Sequence, residues 1–304
     1  MTHTKTKKFY GHGKLLLTGE YAVLDGAKAL SIPTKFGQSL KVASIDDEKT
    51  QITWESYTVD NEKWLSYDST SLQQTEENKM LEKIIAVIKD LNPSAFGNKS
   101  YQFKTQLEFN RKWGLGSSST LLYCLSEWAN VDPFVLLEKT FGGSGYDLAN
   151  AGEDKAIFYS KKDNKASWET LDLKLPMQEN LFFVYLGKKK NSREAIAHYR
   201  ESKSTEAFIQ RVSDLGTAFS EAKDLKTIQG VILEHETLLS ERLKTPTLNN
   251  GIFADLNGAA KSLGGWGGDF VLIATELDKK RLTDYINNKG METIFSYDEM
   301  VYKK

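Results

Sequence analysis

Apolar and polar positions along this chain follow two periods, and the switches between them outline an alternation of strands and helices. Residues 101–109 (YQFKTQLEF) alternate apolar with polar side chains and predict a strand, as do residues 14–17 and, in parts, 40–58. Residues 80–91 (MLEKIIAVIKDL) carry apolar side chains at helical spacing and stop at Asn92-Pro93, which predicts a helix with a sharp end. Residues 121–128 are apolar enough for a buried helix, 135–140 read as a short one, and 156–160 (AIFYS) and 181–187 (LFFVYLG) read as strands. Long amphipathic helices are expected at 204–222 and 224–243, a further helix at 248–263, a strand at 270–275 and a helix at 278–288. A domain boundary is expected near 176–180, giving domains of residues 1–176 and 177–304.

Composition narrows the classes. The 304 residues are 40% hydrophobic and 27% charged, as in globular proteins, and the length suits one large or two moderate domains. Forty Lys plus Arg against 41 Asp plus Glu leave a net charge of −1, which argues against nucleic acid or an anionic membrane as partner. The one cysteine, Cys124, forms no internal disulfide, reads as a small core residue and fits a reducing compartment. The polar first residues and the short apolar runs predict neither a secretory signal nor a membrane span, so a cytoplasmic protein is expected.

The most unusual stretch is 111–120, RKWGLGSSST, which the pattern places between a strand and a helix. A helix N-terminus leaves about four backbone N–H groups without intrahelical partners and carries about half a positive charge. A glycine-rich loop feeding it lets an anion approach the backbone. Gly114 and Gly116 permit that approach, and Ser117, Ser118, Ser119 and Thr120 add hydroxyls, one of which can serve Mg²⁺. The stretch lacks the lysine of GxxxxGK[ST] and the third glycine of GxGxxG. By itself it reads equally well as a serine cap after a turn. Two further stretches bear on the choice: 13–22 (GKLLLTGEYA), with Lys14 at the start of a strand and Glu20 near its far end, and 142–149 (GGSGYDLA), with Asp147 following a glycine-rich turn. Alone, Lys14 reads as a solvated strand-edge lysine and Asp147 as a cap or turn residue.

Taken together, GKLLLTGEYAVLDG, RKWGLGSSST and AAKSLGGWGGDF (259–270) resemble the three signature motifs of the GHMP kinases, in that family's order, and GSGYDLA resembles the segment carrying its catalytic aspartate. The resemblance spans residues 13–275. The tyrosine after GE, the basic-basic-aromatic form of the second motif and the GGD ending of the third are similar to the mevalonate-pathway branch. The family implies an α+β, two-domain fold: an N-terminal domain like ribosomal protein S5 domain 2 and a ferredoxin-like C-terminal domain. It implies ATP-dependent transfer of a γ-phosphoryl group to an acidic acceptor, a phosphorylated or carboxylated alcohol such as 5-phosphomevalonate or mevalonate, by a monomer or homodimer.

By the same resemblance, Asp147 and Lys14 are catalytic. Lys112, Gly114, Leu115, Gly116, Ser117, Ser118 and Ser119 surround the ATP phosphates, with Gly264, Gly265, Gly267 and Gly268 as a second wall. Ser118 and Glu138 hold Mg²⁺. Glu20, Tyr21, Ser144, Gly145, Lys188, Lys190 and Ser192 contact the acceptor. The cations at 188–193 read from composition alone as a solvated loop. One departure stands out: Gly265-Trp266 replaces the family's usual Ala-Gly, setting an indole beside the phosphate-binding backbone. Two alternatives follow, a sugar kinase and a catalytically silent binding or regulatory protein on the same scaffold.

Overall fold

The structure, a computed structural model, describes residues 4–46, 49–71, 75–163, 165–187, 192–201, 203–266 and 268–304, with the backbone alone at residues 4 and 192–195. The chain forms two compact units. The first comprises Met1–Gly13, Phe36–Arg111 and Leu115–Gly152, and the second Lys14–Lys35, Lys112–Gly114 and Glu153–Lys304. A cut at 176/177 falls within the second unit.

Strands β1 (Thr4–Thr18) and β2 (Ala29–Ile45) contribute residues to both units. The first unit continues with β3 (Ile52–Tyr57), β4 (Lys63–Asp68), α1 (Glu76–Leu91), β5 (Ser100–Leu107), α2 (Ser117–Ala129), α3 (Pro133–Lys139) and α4 (Tyr146–Ala151). Its strands run in the order β4-β3-β5-β2. β3 is parallel to β5 from Ile52↔Tyr101, and β2 is antiparallel to β5 from Gln38↔Leu107 to Ile45↔Ser100. The parallel pair requires a crossover, supplied by β4 and α1. Thr75 caps α1 by accepting the Asn78 N–H, and Asn92 ends it before Pro93. Its buried face, Leu81, Ile84, Ile85 and Ile88, has the spacing of a single helical stripe and joins Trp54, Phe103, Leu122 and Leu125 in one core. Cys124 belongs to that core, and burial pushes its thiol up to about 12.

The second unit adds β6 (Ala156–Lys162) and β7 (Lys165–Leu171), with β2 pairing β6 from Ala29↔Tyr159. The chain continues with β8 (Leu181–Tyr185), α5 (Ser192–Tyr199), α6 (Glu206–Glu221), α7 (Leu225–Leu243), β9 (Gly258–Leu263), β10 (Phe270–Thr275), α8 (Lys279–Asn287), β11 (Ile294–Ser296) and α9 (Tyr297–Met300), whose strands form a second sheet. Its order is β11-β8-β10-β9, antiparallel throughout. That order, with helices after β8 and after β10, is the ferredoxin-like succession. Among the described residues, no helix is long and apolar enough to cross a membrane.

Residues 248–263, expected as one helix, form a 3-10 turn at Leu248–Asn250, further turns and then β9. Gly251 and Gly258 disfavour helix continuation, and a Cβ at Gly258 would lie 2.5 Å from the Ala274 carbonyl. The Asn249 amide clamps the Ala260 backbone, accepting its N–H at 2.8 Å and donating to its carbonyl at 2.7 Å. Pairing with β10 then buries Ala259–Leu263.

Candidate active site

Segments far apart in sequence converge within the second unit. Lys14, 7% exposed, donates from Nζ to the Gly114 carbonyl at 3.0 Å. Gly114 sits at φ 68°, a conformation that favours glycine, and a Cβ there would meet the Asp269 carboxylate at 2.6 Å, so a side chain at this position would have to displace the acid. Asp269 follows the second glycine cluster, and its carbonyl accepts the Leu186 N–H at 2.8 Å at the end of β8. Gly264, at φ 74°, would place a Cβ 3.4 Å from the same carboxylate. Lys112 is exposed, and its carbonyl accepts the Tyr185 hydroxyl at 3.2 Å. The Trp113 ring packs edge-on against Phe270 and Phe295, a packing role.

The indole of Trp266 turns inward. At 8% exposure it packs with Tyr21, Tyr199, Leu239 and Leu243, and its Nε1 donates to the Pro246 carbonyl at 3.4 Å. Its backbone N–H donates to the Tyr21 hydroxyl at 2.8 Å. The indole therefore fills a buried apolar pocket. Gly268 closes a turn by donating to the Gly265 carbonyl at 3.0 Å. Gly267, Lys188 and Lys190 lie outside the described residues, as does the side chain of Ser192.

Glu20 and Tyr21, expected at the acceptor, are both buried. Glu20 Oε1 lies 2.5 Å from Lys261 Nζ, and Oε2 lies 3.4 Å from His235 Nε2. That nitrogen also accepts the Gly19 N–H at 3.1 Å, which puts the proton of a neutral ring on Nδ1. Burial holds His235 well below its ordinary pKa and raises that of Glu20 against the opposing charge of Lys261. Glu236 Oε1 accepts the Ser262 N–H at 3.0 Å. Burial pushes Glu236 up to about 8, again opposed by Lys261. Removing one partner of a buried pair such as Glu20–Lys261 costs about 3–5 kcal/mol, although the intact pair adds little net stability.

A stability measurement checks this cluster. The unfolded chain releases the Glu236 proton near 4.5 and the folded chain only near 8, so stability falls as pH rises through that window. Glu20, also raised, acts in the same direction, whereas His235, held neutral, lowers stability only as pH falls below about 6.5. Glu236→Gln keeps the shape without the charge, so its Tm should exceed that of the wild type by a margin that grows from pH 6.5 to 8.5. A pH-independent margin would contradict the buried-acid account.

The remaining expected residues lie in the first unit. Gly116, at φ 89°, is the N-cap of α2, and no side chain caps that helix. Its first-turn N–H groups and its positive end thus stay available to an anion. Leu115 is fully buried beneath the loop, Ser119 is 5% exposed, Ser117 is half-buried and Ser118 is exposed. The Thr120 hydroxyl ties α2 to β2 by donating to Gln38 Oε1 at 2.6 Å. α3 and α4 both pack on α2. Glu138 is exposed on α3, and Asp147 stands half-buried in the first turn of α4, after Ser144 and the left-handed cap Gly145. Asp147 Oδ1 accepts the Leu148 N–H at 3.1 Å. Among the described residues, no group of three or more His, Cys, Asp or Glu is placed to hold a metal by itself.

No family model matches the chain, and no curated protein matches it by sequence. Solved structures do. The L. major mevalonate kinase in complex with R-mevalonate aligns with a TM-score of 0.70 at 14% identity, covering 100% of this chain and 99% of that one. The Streptococcus pneumoniae phosphomevalonate kinase in complex with phosphomevalonate and AMPPNP aligns at 0.72 and 18%, covering 95% and 99%. The Lactococcus lactis galactokinase complexed with galactose aligns at 0.65 and 13%, covering 96% and 93%. The fold is that of the GHMP kinases.

Within this GHMP kinase fold, three features lay beyond sequence reasoning: the inward turn of Trp266, the Lys261–Glu20 pair and the packing of Asp269 on Gly114. The third motif did give Asp269 as part of its GGD ending. Lys261 lies inside the third motif, but a lysine amid Ala-Ala and Ser-Leu reads as surface in either a helix or a strand, so the motif assigned it no role.

Proposed function

We propose that this chain is a GHMP kinase that transfers the γ-phosphoryl group of ATP to a small acidic alcohol, 5-phosphomevalonate or mevalonate. The observation that carries the reading is the meeting of Lys14, Gly114 and the Gly264–Asp269 turn inside one unit, since residues of three separate motifs converge where Gly114 and Gly264 take the left-handed backbone that favours glycine. The tyrosine after GE, the basic-basic-aromatic second motif and the GGD ending, which resemble the mevalonate-pathway branch, support the acceptor class.

Phosphoryl transfer needs positioning and charge neutralisation more than covalent chemistry. The uncapped first turn of α2, entered through Gly116, suits a phosphate group, as does the side-chain-free backbone at Gly114, Gly264 and Gly265. Mg²⁺, when bound, supplies charge neutralisation on the phosphate oxygens. The Ser118 hydroxyl and the Glu138 carboxylate would hold it, a donor set suited to a cation that takes one or two carboxylates plus phosphates. Asp147 orients the acceptor hydroxyl and accepts its proton. Lys14 places positive charge where negative charge develops during transfer. Lys188, Lys190 and Ser192 receive the acceptor's anionic group, with Ser144 and Gly145 on the same task.

The test is ADP release by purified protein with Mg-ATP against mevalonate, 5-phosphomevalonate, homoserine and several sugars. Turnover with one of the first two is the expected result. Turnover with sugars alone would assign the chain to a sugar kinase. Nucleotide binding without any turnover would leave a silent binding protein.

A further inference from the structure

Three consecutive residues after β1 are each tied to the second sheet or its helices. The Gly19 N–H reaches His235 on α7, the Glu20 carboxylate reaches Lys261 on β9, and the Tyr21 hydroxyl accepts the N–H of Trp266 in the glycine turn. Lys261 stands three residues before Gly264 and Trp266 one residue after Gly265, so the two anchor points bracket the glycines. Tyr21 is held for this contact in a backbone conformation that L-residues rarely adopt, φ 59° and ψ −46°. Such strain persists where the surroundings over-determine it. Its ring stacks on Tyr199 at 5.6 Å between centroids, and the Arg242 guanidinium lies 4.4 Å from the Tyr199 ring.

Packing alone explains neither contact. A phenylalanine would fill the same apolar space as Tyr21, and what the hydroxyl adds includes its bond to the Trp266 N–H. Hydrophobic side chains often replace a buried ion pair with no loss of stability, so stability is a weak reason for a Lys–Glu pair here. Both contacts instead fix one stretch of backbone from which a phosphate site requires a set direction for each N–H.

We propose that Glu20 and Tyr21 are positioning residues for the nucleotide, not contacts for the acceptor. Together with Lys261, to which the sequence reading gives no role, they set the backbone of Gly264–Trp266. This role rests on the kinase reading above.

The experiment pairs a structural readout with a functional one. In Tyr21→Phe, hydrogen exchange in the peptide spanning residues 259–270 should speed up about tenfold, the scale of leaving one buried N–H without its acceptor. The Kd of AMPPNP with Mg²⁺, measured by calorimetry, should weaken about tenfold, while the KM of the acceptor that turns over changes less than twofold. Lys261→Met combined with Glu20→Gln removes the pair without stranding a charge and should show the same split. Unchanged exchange would overturn the anchoring. A raised acceptor KM with an unchanged AMPPNP Kd would return Glu20 and Tyr21 to the acceptor. Faster exchange in the variant, with no AMPPNP binding by the wild-type chain, would remove the kinase reading while upholding the anchoring of the turn.

Discussion

Asp147→Asn is expected to lower kcat by about 10²–10⁴-fold, the usual contribution of a positioned acid–base group. Asparagine keeps the side-chain oxygen that accepts the Leu148 N–H at 3.1 Å, so the first turn of α4 retains its local bond. What disappears is an ionisable oxygen able to take a proton. Asp147 lies half-buried on α4, whereas the glycines proposed for the phosphates lie in other segments, so nucleotide affinity should stay within a few-fold of wild type. Steady-state ADP release beside AMPPNP calorimetry separates the two quantities. A variant retaining a third or more of the wild-type rate would remove Asp147 from the reaction.

Lys14→Met should behave differently, because Lys14 serves two tasks. Its ammonium donates to the Gly114 carbonyl at 3.0 Å, and its charge helps to keep Glu20 ionised. Methionine fits the buried aliphatic stem but supplies neither donor nor charge. The Gly114 carbonyl then loses its tie, and the loop beside Asp269 loses one of its fixed points. The expected result is a fall in kcat of about 10²–10⁴-fold, accompanied by weaker AMPPNP binding. The pairing of the two effects is what distinguishes Lys14 from Asp147. If affinity held while the rate fell, Lys14 would act on transfer alone; if the rate held, its catalytic role would be lost.

How far the sequence disclosed this molecule depended on burial. α1, α6 and α7 announce themselves because each presents one apolar face at helical spacing, and β8 and β10 because they are apolar throughout. β4 and β7 went unread: they are the outer strands of their pairings, and neither contains a buried residue. Without a buried face, the period-2 pattern has nothing to mark. β9 was misread as helix because Ala-Ala-Lys suits a helix locally, whereas its pairing with β10 is a long-range fact. The glycine motifs were legible because close backbone approach restricts the residue type, as at Gly114. The Lys261–Glu20 pair was not, since the partners stand 241 residues apart and neither residue type advertises burial.

Cys124 bears on how the protein can be handled. The only thiol in the chain is fully buried and pushed up to about 12, so at neutral pH almost none of it is thiolate. Alkylating reagents should pass it by in the folded state. A cysteine introduced on an exposed surface would then take a maleimide dye alone, and the natural chain can serve as its own background for single-site fluorescent labelling without first replacing a core residue.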